Sequence, residues 1–187
     1  IEDTANKVQA YGQYLETDIK EGLKYAFLTG RALFKQIDKD TLYLHADTLR
    51  TDFDSIDKAE RMSAFRHVKI YRNDMQAACE FLDYHIKDSI AYMTECPVLW
   101  QEESQFTADT VRFHIQGKRI KQMQLYPNPL IIQNSDTATA EYFNQISGKY
   151  LIADFKENKI SYSQIDGNIN IVYHVWEEKK NKPKQHT

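Results

Sequence analysis

The sequence predicts an all-β chain of stacked antiparallel strands. Three observations carry that prediction: an aromatic content of 12% with little Gly or Pro, a unit that recurs five times, and local alternation of apolar with polar side chains. Tyr and Phe number 12 and 9, and both suit a pleated, half-buried surface. Gly and Pro number only 6 and 4, which excludes collagen-like and low-complexity classes. A hydrophobic share of 42% against 27% charged residues is enough to build a core.

The recurring unit is the strongest signal, because a fixed period is the mark of a stacked architecture. Ala46-Asp47-Thr48-Leu49 returns as Ala108-Asp109-Thr110-Val111, with Ala78-Cys79-Glu80-Phe81 between them. Gly12-Gln13-Tyr14-Leu15 and Gly148-Lys149-Tyr150-Leu151 fit the same pattern, a small residue followed three later by an apolar one. Eleven to thirteen residues after each small residue stands Leu23, Ala59, Ile90, Ile120 or Ile160, and three later Ala26, Met62, Met93, Met123 or Ser163. Seven after the first of these columns stands Gly30, Arg66, Pro97, Pro127 or Gly167, four of which are turn formers.

Each unit of about 30 residues reads strand, turn, strand, turn. The turns fall at 20–22, 55–58, 87–89, 116–118 and 157–159, all polar stretches suited to hairpins. Alternation marks the strands, as in Leu42-Tyr43-Leu44-His45-Ala46 and Val111-Arg112-Phe113-His114-Ile115. The interval lengthens before the last copy, where 133–142 is polar and reads as a loop. A rival reading exists at the start: Val8, Tyr11, Leu15, Ile19 and Leu23 fall at helical spacing, so 6–27 could form an amphipathic helix. The repeat columns pass through the same segment in register and favour strands. Residues 1–176 are expected to form one domain of five repeats, and 177–187, with four lysines and one proline, a solvated tail.

A unit this short cannot bury an apolar face alone, so successive units must share one interior. Small residues at Ala46, Ala78 and Ala108 suit places where the backbone bends against a neighbour, and the Met62, Met93 and Met123 column runs along the interior. Two interiors fit this pattern. One is a dry solenoid core; the other is wider and partly open, in keeping with a chain that has bulky Tyr, Phe, Met and Trp100 and only six Gly, where tight solenoids lean on Gly, Asn and small residues.

Taken together, Tyr11-Gly12-Gln13-Tyr14-Leu15, Leu28-Thr29-Gly30-Arg31-Ala32-Leu33-Phe34, and the boxes at His45–Leu49 and Thr107–Val111 resemble the OstA/LptA-like lipopolysaccharide-transport proteins of the Gram-negative periplasm. The resemblance covers roughly residues 8–173. It implies a β-jelly-roll of stacked antiparallel strands folded into a V-shaped groove, without a catalytic site or cofactor. It also implies a periplasmic location, associated with the outer membrane, and a role in carrying lipopolysaccharide with acyl chains inside the groove. Of the settings in which that family uses the domain, the free bridge-like module fits first. Cys79 in place of the family's Asp, and Arg66 and Pro97 in place of its turn Gly, depart from the pattern.

On this reading the inward residues Leu42, Leu44, Leu49, Met62, Phe81, Met93, Val98, Trp100, Val111, Phe113, Met123 and Leu125 are expected to meet acyl chains. The sheet ends near 8–15 and 165–175 are expected to pair with further copies or like-folded partners by strand addition.

Other signals carry less. A net charge of −3 with both signs scattered implies no polyanion-binding face and no nucleic-acid partner. The run Leu130-Ile131-Ile132 is far short of a membrane helix. His45, His67, His85, His114, His174 and His186 show no zinc spacing. Glu102-Glu103 and Asp52/Asp54 could supply the carboxylate pair of a polysaccharide-active enzyme, but the repeat columns align apolar residues instead. A passive scaffold or adhesin is the other alternative, and it requires a filled core. Cys79 and Cys96 flank one predicted hairpin turn, which permits a disulfide worth about 3 kcal/mol and leaves its presence open.

Overall fold

The computed structural model describes residues 2–20, 23–134 and 142–174. Seventeen strands and no helix occur among them. The first seven are β1 (Glu2–Asp3), β2 (Val8–Tyr11), β3 (Tyr14–Lys20), β4 (Leu23–Gln36), β5 (Leu42–Phe53), β6 (Ala59–Arg72) and β7 (Met75–His85). There follow β8 (Ile90–Thr94), β9 (Val98–Gln101), β10 (Ser104–Thr107), β11 (Thr110–Gln116) and β12 (Arg119–Tyr126). The last are β13 (Leu130–Asn134), β14 (Phe143–Ser147), β15 (Tyr150–Lys156), β16 (Lys159–Asp166) and β17 (Asn170–Val172). The expected tail at 177–187 lies outside the described residues, as do most of the expected loop at 133–142 and part of the turn at 20–22.

All pairings are antiparallel, and they build two walls. The first runs β3, β4, β5, β6, β7, β8, β11, β12, β15, β16. The second runs β1, β2, β4, β5, β6, β7, β9, β10, β13, β14, β17. The long strands β4 to β7 belong to both walls because each bends midway. After β7, and also between β2 and β3, the bend is a short break between separate strands, so the described part of 6–27, whose spacing also fits a helix, is strands on either side of Gly12.

The repeat columns are the line of bends. Register shifts fall between Thr29 and Ala32, His45 and Thr48, and Phe65 and Val68, each a bulge that turns the strand. Left-handed residues cluster there: Gly30 and Arg31, Arg66 and His67, Glu95 and Cys96, Asn128, Gly167 and Asn168. Arg66 thus occupies the turn column in the backbone state glycine would adopt more cheaply. Neighbouring bends are joined laterally. Gln13 donates its N–H to the Thr29 carbonyl (2.9 Å), Glu80 to Glu95 (3.0 Å) and Lys149 to Asp166 (2.8 Å).

Because a bend resets the strand's two-residue alternation, Ala46 and Leu49 both face inward, 0% and 5% exposed. In the next unit the inward bend residue is Cys79, not Ala78: Cys79 is buried and Leu82, three later, is 5% exposed. The acidic position after it is therefore Glu80, matching Asp47 and Asp109. These acids tie one bend to the next. The Asp47 carboxylate lies 3.0 Å from His67 Nδ1, Glu80 accepts the His67 N–H (3.1 Å), and Asp109 accepts from the Asn128 amide (3.1 Å).

Gly30 illustrates how narrow the bends are. Its φ is +77°, and a Cβ there would lie 2.7 Å from the Gln13 side chain. Gly117 has φ +63° with open space around it. Gly30→Ala is expected to cost about 2 kcal/mol, and Gly117→Ala about 1 kcal/mol from backbone strain alone. Urea unfolding of the two variants reads the difference.

Candidate functional site

The walls meet at the bends and diverge toward their rims, enclosing a cavity of about 800 Å³. Leu28, Leu49 and Leu82 form its floor near the bends. Higher up come Val8, Ala10, Ala26, Phe34, Leu42, Leu44, Met62, Ile70, Tyr84, Ala91, Phe113 and Ile115. Burial raises the pKa of the Tyr84 phenol. Polar groups gather at the mouth, among them Asp57, Lys58, Lys118 and Arg119. Arg72 is the buried cation on the lining, and its charge is answered by a two-pronged pair with Asp74. The site is therefore an apolar trough with a charged lip.

Its capacity follows from a simple scale. A benzene fills an apolar cavity of roughly 150 Å³, or about 25 Å³ per carbon, so this cavity has room for about 30 carbons, two fatty-acyl chains.

Toward the C-terminal end the trough narrows. Leu99, Phe106, Val111, Met123, Leu125 and Leu151 are 4% exposed or less and pack on one another. The rims touch above them: the Gln101 amide donates to the Asn158 carbonyl (2.8 Å), and Lys159 lies 3.2 Å from Glu102.

Of the twelve residues expected to face inward, Leu42, Leu44, Leu49, Met62 and Phe113 line the cavity. Met93, Val111, Met123 and Leu125 point inward but lie in the packed core. Phe81, Val98 and Trp100 face outward. Phe81 stacks on Phe65 across the outer face of the first wall, with centroids 5.1 Å apart, and Leu82 takes the inward position. Trp100 is 41% exposed and Leu99 beside it is buried. The cause is one slipped residue at each bend, which exchanges the two faces of a strand. Leu82 was accessible to the same three-residue spacing counted from Cys79; Phe34, Ile70 and Tyr84 carried no repeat signal.

The remaining candidates have other tasks. Asp52 pairs with Arg50, and Asp54 accepts the N–H groups of Ile56 and Lys58 in a turn, so these carboxylates do not converge. Among the described residues no group of His, Cys, Asp or Glu is placed to hold a metal. Cys79 and Cys96 are unbonded. The Cys79 thiol donates to the Phe81 carbonyl (3.3 Å), and burial pushes its pKa up to about 12, while Cys96 is exposed.

Outside the first wall, Asp83 accepts both prongs of Arg61 (2.7 and 2.8 Å) and contacts His85 (3.0 Å). Burial alone would raise its pKa, but Arg61 and then His85 outweigh that and lower it. The carboxylate's contribution is therefore complete above the unfolded value near about 4 and is lost as pH falls through the lower folded value. Asp83→Asn is expected to cost about 1–2 kcal/mol near neutrality, Arg61 being half exposed, and to flatten the acid limb of stability against pH.

Bent strands shared by two walls around an apolar interior define an LptA-like β-jelly-roll. The chain matches the crystal structure of LptH, described as the LptA-homologous periplasmic component of the conserved lipopolysaccharide transport device of Pseudomonas aeruginosa. The match has a TM-score of 0.52 and covers 94% of this chain and 100% of that one, at 12% sequence identity. No family model and no curated protein sequence gives a significant match.

Proposed function

We propose that this chain is a non-catalytic periplasmic carrier that shields lipopolysaccharide acyl chains between its walls and bridges the two membranes during transport. An acyl chain drawn into water exposes on the order of 10 kcal/mol of unfavourable hydration at about 0.8 kcal/mol per methylene. The observation that supports the reading is the 800 Å³ apolar cavity inside an LptA-like fold. Its charged lip suits the phosphates and sugars that stay in water. Gentle extraction followed by native mass spectrometry tests it, and the expected result is copurification of a lipid A-bearing molecule. A photo-crosslinker at Met62, on the lining, is expected to label lipid far more than one at Asp88, in a turn; equal labelling would count against the cavity as the site.

The bridging role needs partners at the ends of the stack. Of the first wall's terminal strands, β3 pairs only with β4 and β16 only with β15 among the described residues. Tyr14, Leu15 and Ile19 on β3 and Tyr162 on β16 are more than half exposed. Such edges recruit further strands. Strict monomer behaviour at high concentration, with charged substitutions at Ile19 and Tyr162 leaving transport intact, would refute this part.

A further inference from the structure

The outer faces of the two walls carry opposite chemistry. On the first wall, Asp18, Asp52, Asp83 and Asp154 stand beside Arg50, Arg61 and Arg112, many of them paired. On the second, the outward positions from β2 to β14 include no carboxylate and carry Lys35 and Lys69, and β1 adds Glu2, bonded to the Gln9 amide. Neither lysine has a carboxylate partner among the described ion pairs. Charges that look scattered along the chain are sorted by the fold.

One row on that face is unusual. Successive cross-strand pairing aligns Lys35, Tyr43, Tyr71, Gln76, Trp100 and Gln105 on six neighbouring strands. Tyr43, Tyr71 and Trp100 are 37%, 47% and 41% exposed. They are also held in place. The Tyr43 and Tyr71 rings lie 6.2 Å apart, Lys35 sits 5.6 Å over the Tyr43 ring, and the Trp100 indole N–H donates to Gln105 (2.9 Å). Aromatic faces stack on the C–H faces of sugar rings, amide side chains reach sugar hydroxyls, and lysines answer anionic substituents. Rings fixed beforehand bind with less loss of side-chain freedom.

The row has a definite position relative to the mouth. Every member lies one residue inside the rim end of its strand, as Tyr43 does after Leu42 and Tyr71 before Arg72. From β4 to β7 it runs along the lip of the cavity, just over its outer side, and it continues over β9 and β10, where the rims touch. We infer that this row is a binding platform for the anionic sugar chain of the same amphiphile whose acyl chains occupy the cavity. The inference rests on the carrier reading for its occupant. The argument for that occupant is the path over the lip from β4 to β7 and the lysine-bearing face, where the carboxylate of Glu2 on β1 is held by the Gln9 amide (3.2 Å).

The test compares wild type with the double variant Tyr71→Ala/Trp100→Ala, whose positions are exposed and away from the cavity, with circular dichroism to verify folding. Three probes are titrated: intact lipopolysaccharide, lipid A without its sugars, and the core oligosaccharide released by mild acid. The expected result is unchanged lipid A binding with a 5- to 20-fold loss for lipopolysaccharide and for free oligosaccharide. Unchanged lipopolysaccharide and oligosaccharide binding would overturn the platform and leave the carrier reading standing. If lipid A fails to bind wild type, the carrier reading and the shared occupant fall together, and the oligosaccharide arm alone then shows whether the row is a sugar site. Equal binding of a neutral maltoheptaose would overturn the anionic assignment, and Lys35→Gln is expected to weaken only the anionic probe.

Discussion

Ala26→Trp is expected to reduce acyl-chain binding about a hundredfold while leaving the fold intact. Ala26 lies on the cavity lining of the first wall, directly across from Thr51, which also lines it. An indole placed there has nine heavy atoms, projects into empty space and displaces at least about four methylenes of a guest chain. At about 0.8 kcal/mol each, the displaced contact is worth about 3 kcal/mol, or two orders of magnitude in affinity. The strand tolerates Trp well, and no packed neighbour must move, so the cost of overpacking does not arise. Displacement of a fluorescent fatty-acyl probe reads the binding, and urea unfolding reads the fold. Wild-type affinity in a folded Ala26→Trp chain would overturn the cavity as the proposed acyl site.

How much of this could be read from the sequence depends on the distance between residues that cooperate. The bends were visible because they impose local demands: a small inward residue at Ala46 or Ala108, a left-handed or proline-flanked turn near Gly30, Pro97 and Gly167. Strand faces were visible only up to the nearest bend. Beyond it, a choice between Ala78 and Cys79 as the bend residue decided whether Phe81 or Leu82 pointed inward, and nothing within the unit itself favours either. The partition of inward residues between lining and packed core was not visible at all. Met62 and Met123 occupy the same repeat column, yet one borders the cavity and the other is fully buried. That difference arises from how far the walls stand apart, which is set by pairings between residues more than fifty positions apart, such as Gln101 with Asn158. The row from Lys35 to Gln105 escaped for the same reason, since its members come from six strands and share no spacing.

The division between cavity and core can be measured by the cost of deleting the same atoms on each side of it. Leu125 is 0% exposed, on β12 between Val111 of β11 and Leu151 of β15, each its direct cross-strand partner and each at most 1% exposed. Leu125→Ala therefore loses three methylene equivalents of burial and leaves a void that neighbours on two strands cannot close, an expected cost of about 3–4 kcal/mol. Leu42 lies at the start of β5 and borders the cavity, which is open to solvent at its mouth. Leu42→Ala creates no enclosed void and is expected to cost about 1 kcal/mol. The consequences for binding should run the other way, with Leu42→Ala weakening an acyl probe severalfold and Leu125→Ala leaving the folded fraction's affinity unchanged. Urea unfolding and probe titration on the two variants check both orders. Equal destabilisation would mean that the interior is one packed core from end to end, and a chain so filled would have no room for a guest.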